Sequence, residues 1–142
     1  DVPQDLELAV SWGRKAAEQG LAVAQYNLGF SYDSGQGVAQ DYAQALIWYR
    51  RAADHGFATA QYAVGLLYDQ GLGVTRDYGE AVSWYKKAAD QGLAVAQGNL
   101  GNMYAMGHGV AQDRAEAITW FRKAADQGLA TAQESLKRLE HP

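Results

Sequence analysis

The feature that most constrains this chain is a repeat of 36 residues. Its four tryptophans, Trp12, Trp48, Trp84 and Trp120, stand at this interval with no insertion or deletion between them. Aspartates, paired alanines and glycines return at the same spacing. A fixed period of roughly 20 to 50 residues is typical of repeat architectures, in which each unit packs against its neighbours. The length of 142 residues is just under four periods.

Each period predicts two helices. In the second helix of a period, apolar residues fall at helical spacing on one face. They are Ala45, Trp48, Tyr49, Ala52 and Ala53. Asp41 is placed to cap the start of this helix, and Gly56 to end it in a left-handed conformation. In the first helix of a period, a glycine recurs at Gly29, Gly65 and Gly101, which predicts that two helix backbones approach closely there.

These residues carry a family resemblance. Residues 60–74 read Ala-Gln-Tyr-x-x-Gly-Leu-Leu-Tyr-x-x-Gly-x-Gly-Val, and the pattern continues through Asp77, Ala81, Trp84 and Gly92. This pattern resembles a Sel-1-like repeat, a 36-residue relative of the tetratricopeptide repeat, and it covers essentially the whole chain. The resemblance implies an all-α fold, a right-handed α-solenoid of helix-turn-helix repeats, and a role as an adaptor for macromolecular complexes.

The period predicts one repeat domain over residues 1–142. Its parts are an N-terminal half-repeat (1–22), three repeats (23–58, 59–94 and 95–130) and a C-terminal capping helix (131–142). Lys137, Arg138 and Glu140 give that last helix the polar outer face of a cap. Gly13 stands where later copies have Tyr49, Tyr85 and Phe121. The N-terminal half-repeat therefore either caps the array or belongs to a longer one.

Composition and motifs give no indication of a catalytic, metal-binding or nucleic-acid-binding site. The chain has no cysteine, which excludes disulfide scaffolds and zinc ribbons, and its net charge of −4 argues against a nucleic-acid partner. Its histidines, His55, His108 and His141, have no second ligand type at a useful spacing, so they are interpreted as surface residues. No apolar run is long enough for a membrane-spanning helix. We expect no enzyme activity, catalytic residue, metal or cofactor, and the compartment stays open between cytoplasm and export.

A binding surface is predicted on the first helices, which line the concave face in tetratricopeptide repeats. The positions of these first helices that are not assigned to the core form a candidate ligand groove. It consists of Val23, Tyr26, Phe30, Asp33, Thr59, Tyr62, Leu66, Asp69 and Asn102. Tyrosine and phenylalanine are suited to be interface anchors. The alternative is that these aromatic residues only pack on a neighbouring helix, and the sequence leaves both open.

The favoured function is a non-enzymatic scaffold that binds a peptide or protein segment in this groove. The acidic residues would suit a ligand with a lysine or arginine next to an apolar residue. A carbohydrate or cell-wall-fragment module is the alternative, and a small-substrate hydrolase has the least support. End-to-end self-association is also predicted if Val10, Trp12 and Ala16 form an uncovered apolar end.

Overall fold

The structure is a computed structural model that describes residues 2–142, with side chains from residue 4 onward. These residues form eight α-helices and, over the described range, no β-strand. The all-α class and the helix-turn-helix repeat of about 36 residues are thereby confirmed. The helices are α1 (Val2–Glu18), α2 (Ala22–Ser34), α3 (Tyr42–Asp54), α4 (Ala58–Gln70), α5 (Tyr78–Asp90), α6 (Ala94–Met106), α7 (Arg114–Asp126) and α8 (Ala130–Glu140).

The helices fall into two compact units. The first ends at Arg76 and contains α1 to α4, and the second spans Asp77–Pro142 and contains α5 to α8. In the first unit, α2 packs on α1 and on α3, and α3 packs on α4. In the second unit, α6 packs on α5 and on α7, and α7 packs on α8. Short connections between packed helices are typical of antiparallel helix pairs.

The predicted helix ends are present. The Asp41 Oδ1 atom accepts a hydrogen bond of 3.1 Å from the backbone N–H of Gln44, and so caps α3. Asp77 and Asp113 cap α5 and α7 in the same way, each at 3.1 Å. Gly56 follows α3 with φ of 86°, in the left-handed region that favours glycine. These caps satisfy backbone donors that a helix start otherwise leaves unpaired.

The core of the first unit forms where the apolar stripes meet. The buried residues of α3 are Ala45, Trp48, Tyr49, Ala52 and Ala53, as the spacing predicted. The Trp48 side chain, only 5% exposed, packs in one cluster with Ala17, Ala24 and Leu28. Trp48 therefore belongs to the packing between the two helix pairs of the first unit, and its burial depends on the preceding pair.

The helical glycines have a different role from the predicted one. A Cβ atom on Gly29 would lie 2.6 Å from Cδ1 of Tyr49, and one on Gly101 would lie 2.8 Å from Cδ1 of Phe121. Real Cβ contacts are not this short, so the glycine makes room for an aromatic ring from the next helix. The prediction of two backbones in close approach is wrong at both positions, because the ring occupies the space.

Buried glutamines connect the two helices of a pair. The Nε2 atoms of Gln25, Gln61 and Gln97 each donate to the carbonyl of the alanine eight residues earlier, at 3.1, 3.3 and 3.2 Å. In the second unit, Gln127 Nε2 also donates to Gln97 Oε1 at 2.9 Å. His55 holds the equivalent position in the first unit, and its Nδ1 atom lies 2.9 Å from the Arg51 carbonyl instead. Gln25 Oε1 is consequently buried without a hydrogen-bond partner among the described residues.

The unpaired Gln25 oxygen predicts a stabilising substitution. His55→Gln is expected to raise the free energy of unfolding by about 1 kcal/mol, because it supplies the missing donor to Gln25 Oε1. The reverse change, Gln127→His, removes that donor from Gln97 and should cost a similar amount. Urea unfolding followed by circular dichroism measures both. If His55→Gln lowers the stability, the equivalence of the two positions is wrong.

Candidate functional site

Four of the predicted groove residues share one face of α2. Val23, Tyr26, Phe30 and Asp33 are spaced by three or four residues, so they are neighbours on the helix. We name this face the α2 surface. Val23 is 54% and Phe30 45% exposed, whereas Tyr26 and Asp33 are half-buried. The α2 surface thus presents two exposed apolar side chains beside a carboxylate.

Tyr26 is part of a packed aromatic group. Its ring centroid lies 5.5 Å from that of Tyr49 on α3 and 5.3 Å from that of Phe57, which precedes α4. The second contact is edge-to-face, which is a favourable arrangement for aromatic pairs. For Tyr26, packing on neighbouring structure is therefore established, and Phe30 is the more exposed aromatic residue of the α2 surface.

A tyrosine from α3 holds the Asp33 carboxylate. The Tyr49 hydroxyl donates a hydrogen bond of 2.9 Å to Asp33 Oδ2. Burial, followed by this hydrogen bond and the charge of Asp33, raises the pKa of Tyr49 above its ordinary value. Burial and the Asp33 charge also raise the pKa of Tyr26. A carboxylate can accept about four hydrogen bonds, so it retains acceptor capacity beyond the bond from Tyr49.

The other predicted groove residues lie in two places. Thr59, Tyr62, Leu66 and Asp69 are all half-buried and share one face of α4, which we name the α4 surface. It belongs to the same unit as the α2 surface. Asn102 belongs to the second unit, where it is exposed on α6. There it lines a pocket of about 260 Å³ whose wall also includes Met106, Phe121 and Arg138.

Sequence reasoning missed two residues of this site. Tyr49 was assigned only to the core, and Phe57 was not singled out. A signal for the Tyr49 contact was available, because Asp33 and Tyr49 are followed one period later by Asp69 and Tyr85. One period further on, both polar groups are lost together, since Ala105 and Phe121 stand at those positions. Joint loss of a hydroxyl and a carboxylate indicates that the two groups are partners.

The recurring basic residues are engaged by their neighbours. Four cationic groups lie over the tryptophan ring three residues earlier, 4.1 to 4.7 Å from the ring centroid. They are those of Lys15, Arg51, Lys87 and Lys123. Lys86 pairs with Asp90, four residues later on the same helix, at 3.2 Å. Arg14 instead donates to the Tyr32 hydroxyl at 2.6 Å, and Arg122 pairs with Glu140.

The described residues contain neither a metal-binding cluster nor a membrane-spanning helix. From residue 2 onward, no three histidine or acidic side chains converge in a way that could hold a metal ion. Over the same residues, no helix combines the length and the apolar character needed to cross a membrane.

Capped helix pairs at a 36-residue interval, joined by packed tryptophans and glycine-aromatic contacts, define a helical-repeat protein of the tetratricopeptide-like class. The chain belongs to the Sel1 repeat family, whose family model, described as Sel1 repeat, matches residues 1–21, 22–57, 58–93 and 94–129. Sel1 repeat proteins are generally protein-interaction scaffolds without enzymatic activity. No match was found among curated proteins.

Solved structures of bacterial proteins resemble the chain. One is c5321, a protective antigen of uropathogenic Escherichia coli strains with an SLR fold, which is 48% identical over 89% of this chain with a TM-score of 0.86. Another is a Sel1 repeat protein from Oxalobacter formigenes, 39% identical over 93% of the chain with a TM-score of 0.88. The chain spans 27% and 54% of the lengths of these two proteins.

A third structure is similar in fold alone. Helicobacter pylori cysteine rich protein B is 23% identical over 96% of this chain, with a TM-score of 0.74. The chain covers 98% of that protein. The fold is therefore shared at this low sequence identity.

Proposed function

We propose that this chain is a non-enzymatic scaffold that binds a peptide or protein segment through the α2 surface, extending to the α4 surface. The observation that carries the proposal is the exposure of Phe30 and Val23 next to the fixed Asp33 carboxylate. Large apolar side chains that are exposed in a group mark interaction sites more often than scattered ones do. The general role of Sel1 repeat proteins in binding other proteins supports the same function.

The composition of the α2 surface selects the chemistry of the ligand. Phe30 is 45% exposed, so its ring offers contact area at a small cost in side-chain entropy. Asp33 is held by Tyr49, so a cation can pair with it without first ordering the carboxylate. The preferred ligand is therefore a segment in which a lysine or arginine stands next to an aliphatic or aromatic residue.

The packing of Tyr26 gives less support to the carbohydrate alternative than to a peptide ligand. Sugars stack on a free aromatic face, but the Tyr26 ring already contacts Tyr49 and Phe57. Phe30 alone is a small platform for a sugar. A thermal-shift screen of glycans and peptides separates the two ligand classes, because only a ligand of the folded protein raises the melting temperature.

The ligand preference can be tested by selecting peptides from a random library displayed on phage against the full chain. We expect the selected peptides to share a basic residue beside an apolar one. Phe30→Ala should raise the Kd of a selected peptide about 30-fold, because truncation of a central anchor costs about 2 kcal/mol. Fluorescence anisotropy with a labelled peptide measures this change.

Two matched variants sharpen this experiment. Ile47, on α3, is 45% exposed like Phe30 but lies outside both surfaces, so Ile47→Ala should leave the Kd unchanged. Asp33→Asn keeps an oxygen that can accept the hydrogen bond from the Tyr49 hydroxyl, but it removes the negative charge. It should weaken binding about tenfold and make the Kd less dependent on salt. Equal effects of Phe30→Ala and Ile47→Ala would remove the α2 surface from this function.

A further inference from the structure

The second unit has a pocket where the first unit has the hydrogen bond from Tyr49 to Asp33. Two periods separate Asp33 from Ala105 and Tyr49 from Phe121, so the carboxylate and the hydroxyl are both absent at this register of the second unit. Ala105 and Phe121 instead line the pocket of about 260 Å³. The side chains that replace the hydrogen-bonded pair therefore border an open space.

The backbone beside this pocket is held in the same way in both units. The Nε2 atom of Gln112 donates to the Ala105 carbonyl at 2.9 Å, and that of Gln40 donates to the Asp33 carbonyl at 2.7 Å. The glycine-aromatic contact next to it is also common to both units. The units thus differ at this register in their side chains, so the change from aspartate to alanine leaves open a space that a carboxylate fills in the first unit.

The wall of the pocket combines apolar side chains with hydrogen-bonding groups. The apolar ones belong to Met106, Phe121 and Leu139. The polar ones belong to Asn102, Ser135 and Arg138. Leu139, on α8, packs against the buried cluster that contains Phe121, so the pocket lies between helices that pack on one another. Among the described residues of the wall, Arg138 carries the only charge, and that charge is positive.

Arg138 has no anionic partner in the described part of the chain. Its guanidinium donates a hydrogen bond of 3.1 Å to the Ser135 hydroxyl, which is neutral. Glu134, four residues earlier on α8, does not line the pocket, and no carboxylate between residues 4 and 142 forms an ion pair with Arg138. Arginine presents five N–H donors in a planar fork that matches a carboxylate. Most of these donors therefore remain available to a ligand.

The first helices of the two units carry different chemistry at the same registers. At the register of Phe30, two and three periods later, the chain has Asn102 and Arg138. At the register of Asp33, two periods later, it has Ala105. An apolar and an acidic group in the first unit are thus replaced by polar and cationic groups and an alanine in the second. Equivalent helix faces therefore suit ligands of opposite charge.

We propose that this pocket, which we name the α6–α8 pocket, binds a protein segment in which a glutamate or aspartate stands next to an aliphatic residue. Its volume is below the roughly 300–1,000 Å³ of pockets that enclose drug-sized ligands, so it suits one side chain of a larger ligand. The aliphatic side chain packs beside Ala105 on the Phe121 ring. The carboxylate pairs with Arg138 and accepts a hydrogen bond from the Asn102 amide. This site lies outside the α2 surface and does not depend on it.

Nuclear magnetic resonance titration of the full chain with three capped pentapeptides tests the charge preference. Their sequence is glycine-leucine-X-leucine-glycine, in which X is glutamate, glutamine or lysine. We expect the glutamate peptide to shift the amide resonances of α6 and α8. It should bind about tenfold more tightly than the glutamine peptide, because charge-assisted hydrogen bonds are stronger than neutral ones. Equal binding of the glutamate and lysine peptides, or no shift in these helices up to about 5 mM peptide, overturns the proposal.

A pair of charge-matched variants identifies the cation that is responsible. Arg138→Gln should raise the Kd of the glutamate peptide about tenfold. Lys137→Gln removes the same charge from α8, but Lys137 does not line the pocket, so the Kd should change less than about twofold. Phe30→Ala, on the α2 surface, should leave this Kd unchanged, so the two sites can fail separately. Equal effects of Arg138→Gln and Lys137→Gln would assign the preference to overall charge and overturn the proposed site.

The first unit supplies a variant that closes the pocket without removing Arg138. Ala105→Asp combined with Phe121→Tyr installs the hydrogen-bonded pair of Asp33 and Tyr49 in the second unit. The new carboxylate should fill the space beside the ring, pair with Arg138 and abolish binding of the glutamate peptide. Circular dichroism confirms that the double variant is folded. A folded double variant that binds this peptide like the wild type shows that the ligand lies elsewhere.

Discussion

Replacing Tyr49 by alanine is expected to lower the free energy of unfolding by about 3–5 kcal/mol, the usual cost of deleting a buried aromatic side chain. Tyr49 is 2% exposed, its ring lies against Gly29 and Tyr26, and its hydroxyl bonds to Asp33. Truncation removes all three contacts and leaves a cavity between α2 and α3. Urea unfolding followed by far-ultraviolet circular dichroism measures the loss. A loss below about 1 kcal/mol, the average for any substitution, would contradict this packing.

The conservative variant separates the ring from the hydroxyl. Tyr49→Phe keeps the ring and should cost only about 1 kcal/mol, the net value of one hydrogen bond. It also has a pH signature. Because the pKa of Tyr49 is raised in the folded state, the unfolded chain loses this proton first, above pH of about 10. Wild-type stability should then fall as the pH rises, and Tyr49→Phe should reduce that slope.

Gly29→Ala is expected to destabilise the protein by about 2 kcal/mol, although alanine is the better helix former. The added Cβ would lie 2.6 Å from the Tyr49 ring, which its hydrogen bond to Asp33 and its burial hold in place. Overpacking of the core therefore outweighs the gain in helix propensity. The same urea titration measures the effect.

Gly13→Ala is the matched control for this prediction. Gly13 is also within a helix of the first unit, but a Cβ there meets nothing within 4 Å. The same substitution should therefore stabilise the chain by about 0.5–1 kcal/mol, since only helix propensity changes. Opposite signs at the two glycines are the expected result. If both substitutions raise the free energy of unfolding, the Tyr49 ring moves aside easily, and its packing does not require a glycine at position 29.

Much of the fold follows from local sequence. Asp41 was expected to cap α3, and its carboxylate does so because a short acidic side chain can bond the backbone N–H three residues on. The apolar stripe of α3 was expected to be buried, and all five of its residues are. Both properties depend only on helical periodicity and on residues close in sequence, so one period of the chain contains the information.

The contacts of the candidate site were harder to predict. The sequence pattern does not distinguish Tyr26 from Phe30, because the two residues are four positions apart on one face of α2. Phe57, from the connection before α4, covers part of Tyr26, and Phe30 stays 45% exposed. Which of two aromatic residues is covered depends on how a neighbouring loop packs. The repeat pattern does not specify this packing. It shows which residues share a helix face, but not which residues of other elements cover that face.

By itself, the sequence determined the period, the helix pairs, the aspartate cap of α3 and the residues that α3 buries, because these follow from backbone hydrogen bonding and apolar spacing. The tertiary structure decided which aromatic residues are covered and that Tyr49 holds Asp33. Those properties depend on distances between side chains of different helices. Repeats that share one sequence pattern therefore differ in side-chain packing wherever their neighbours differ.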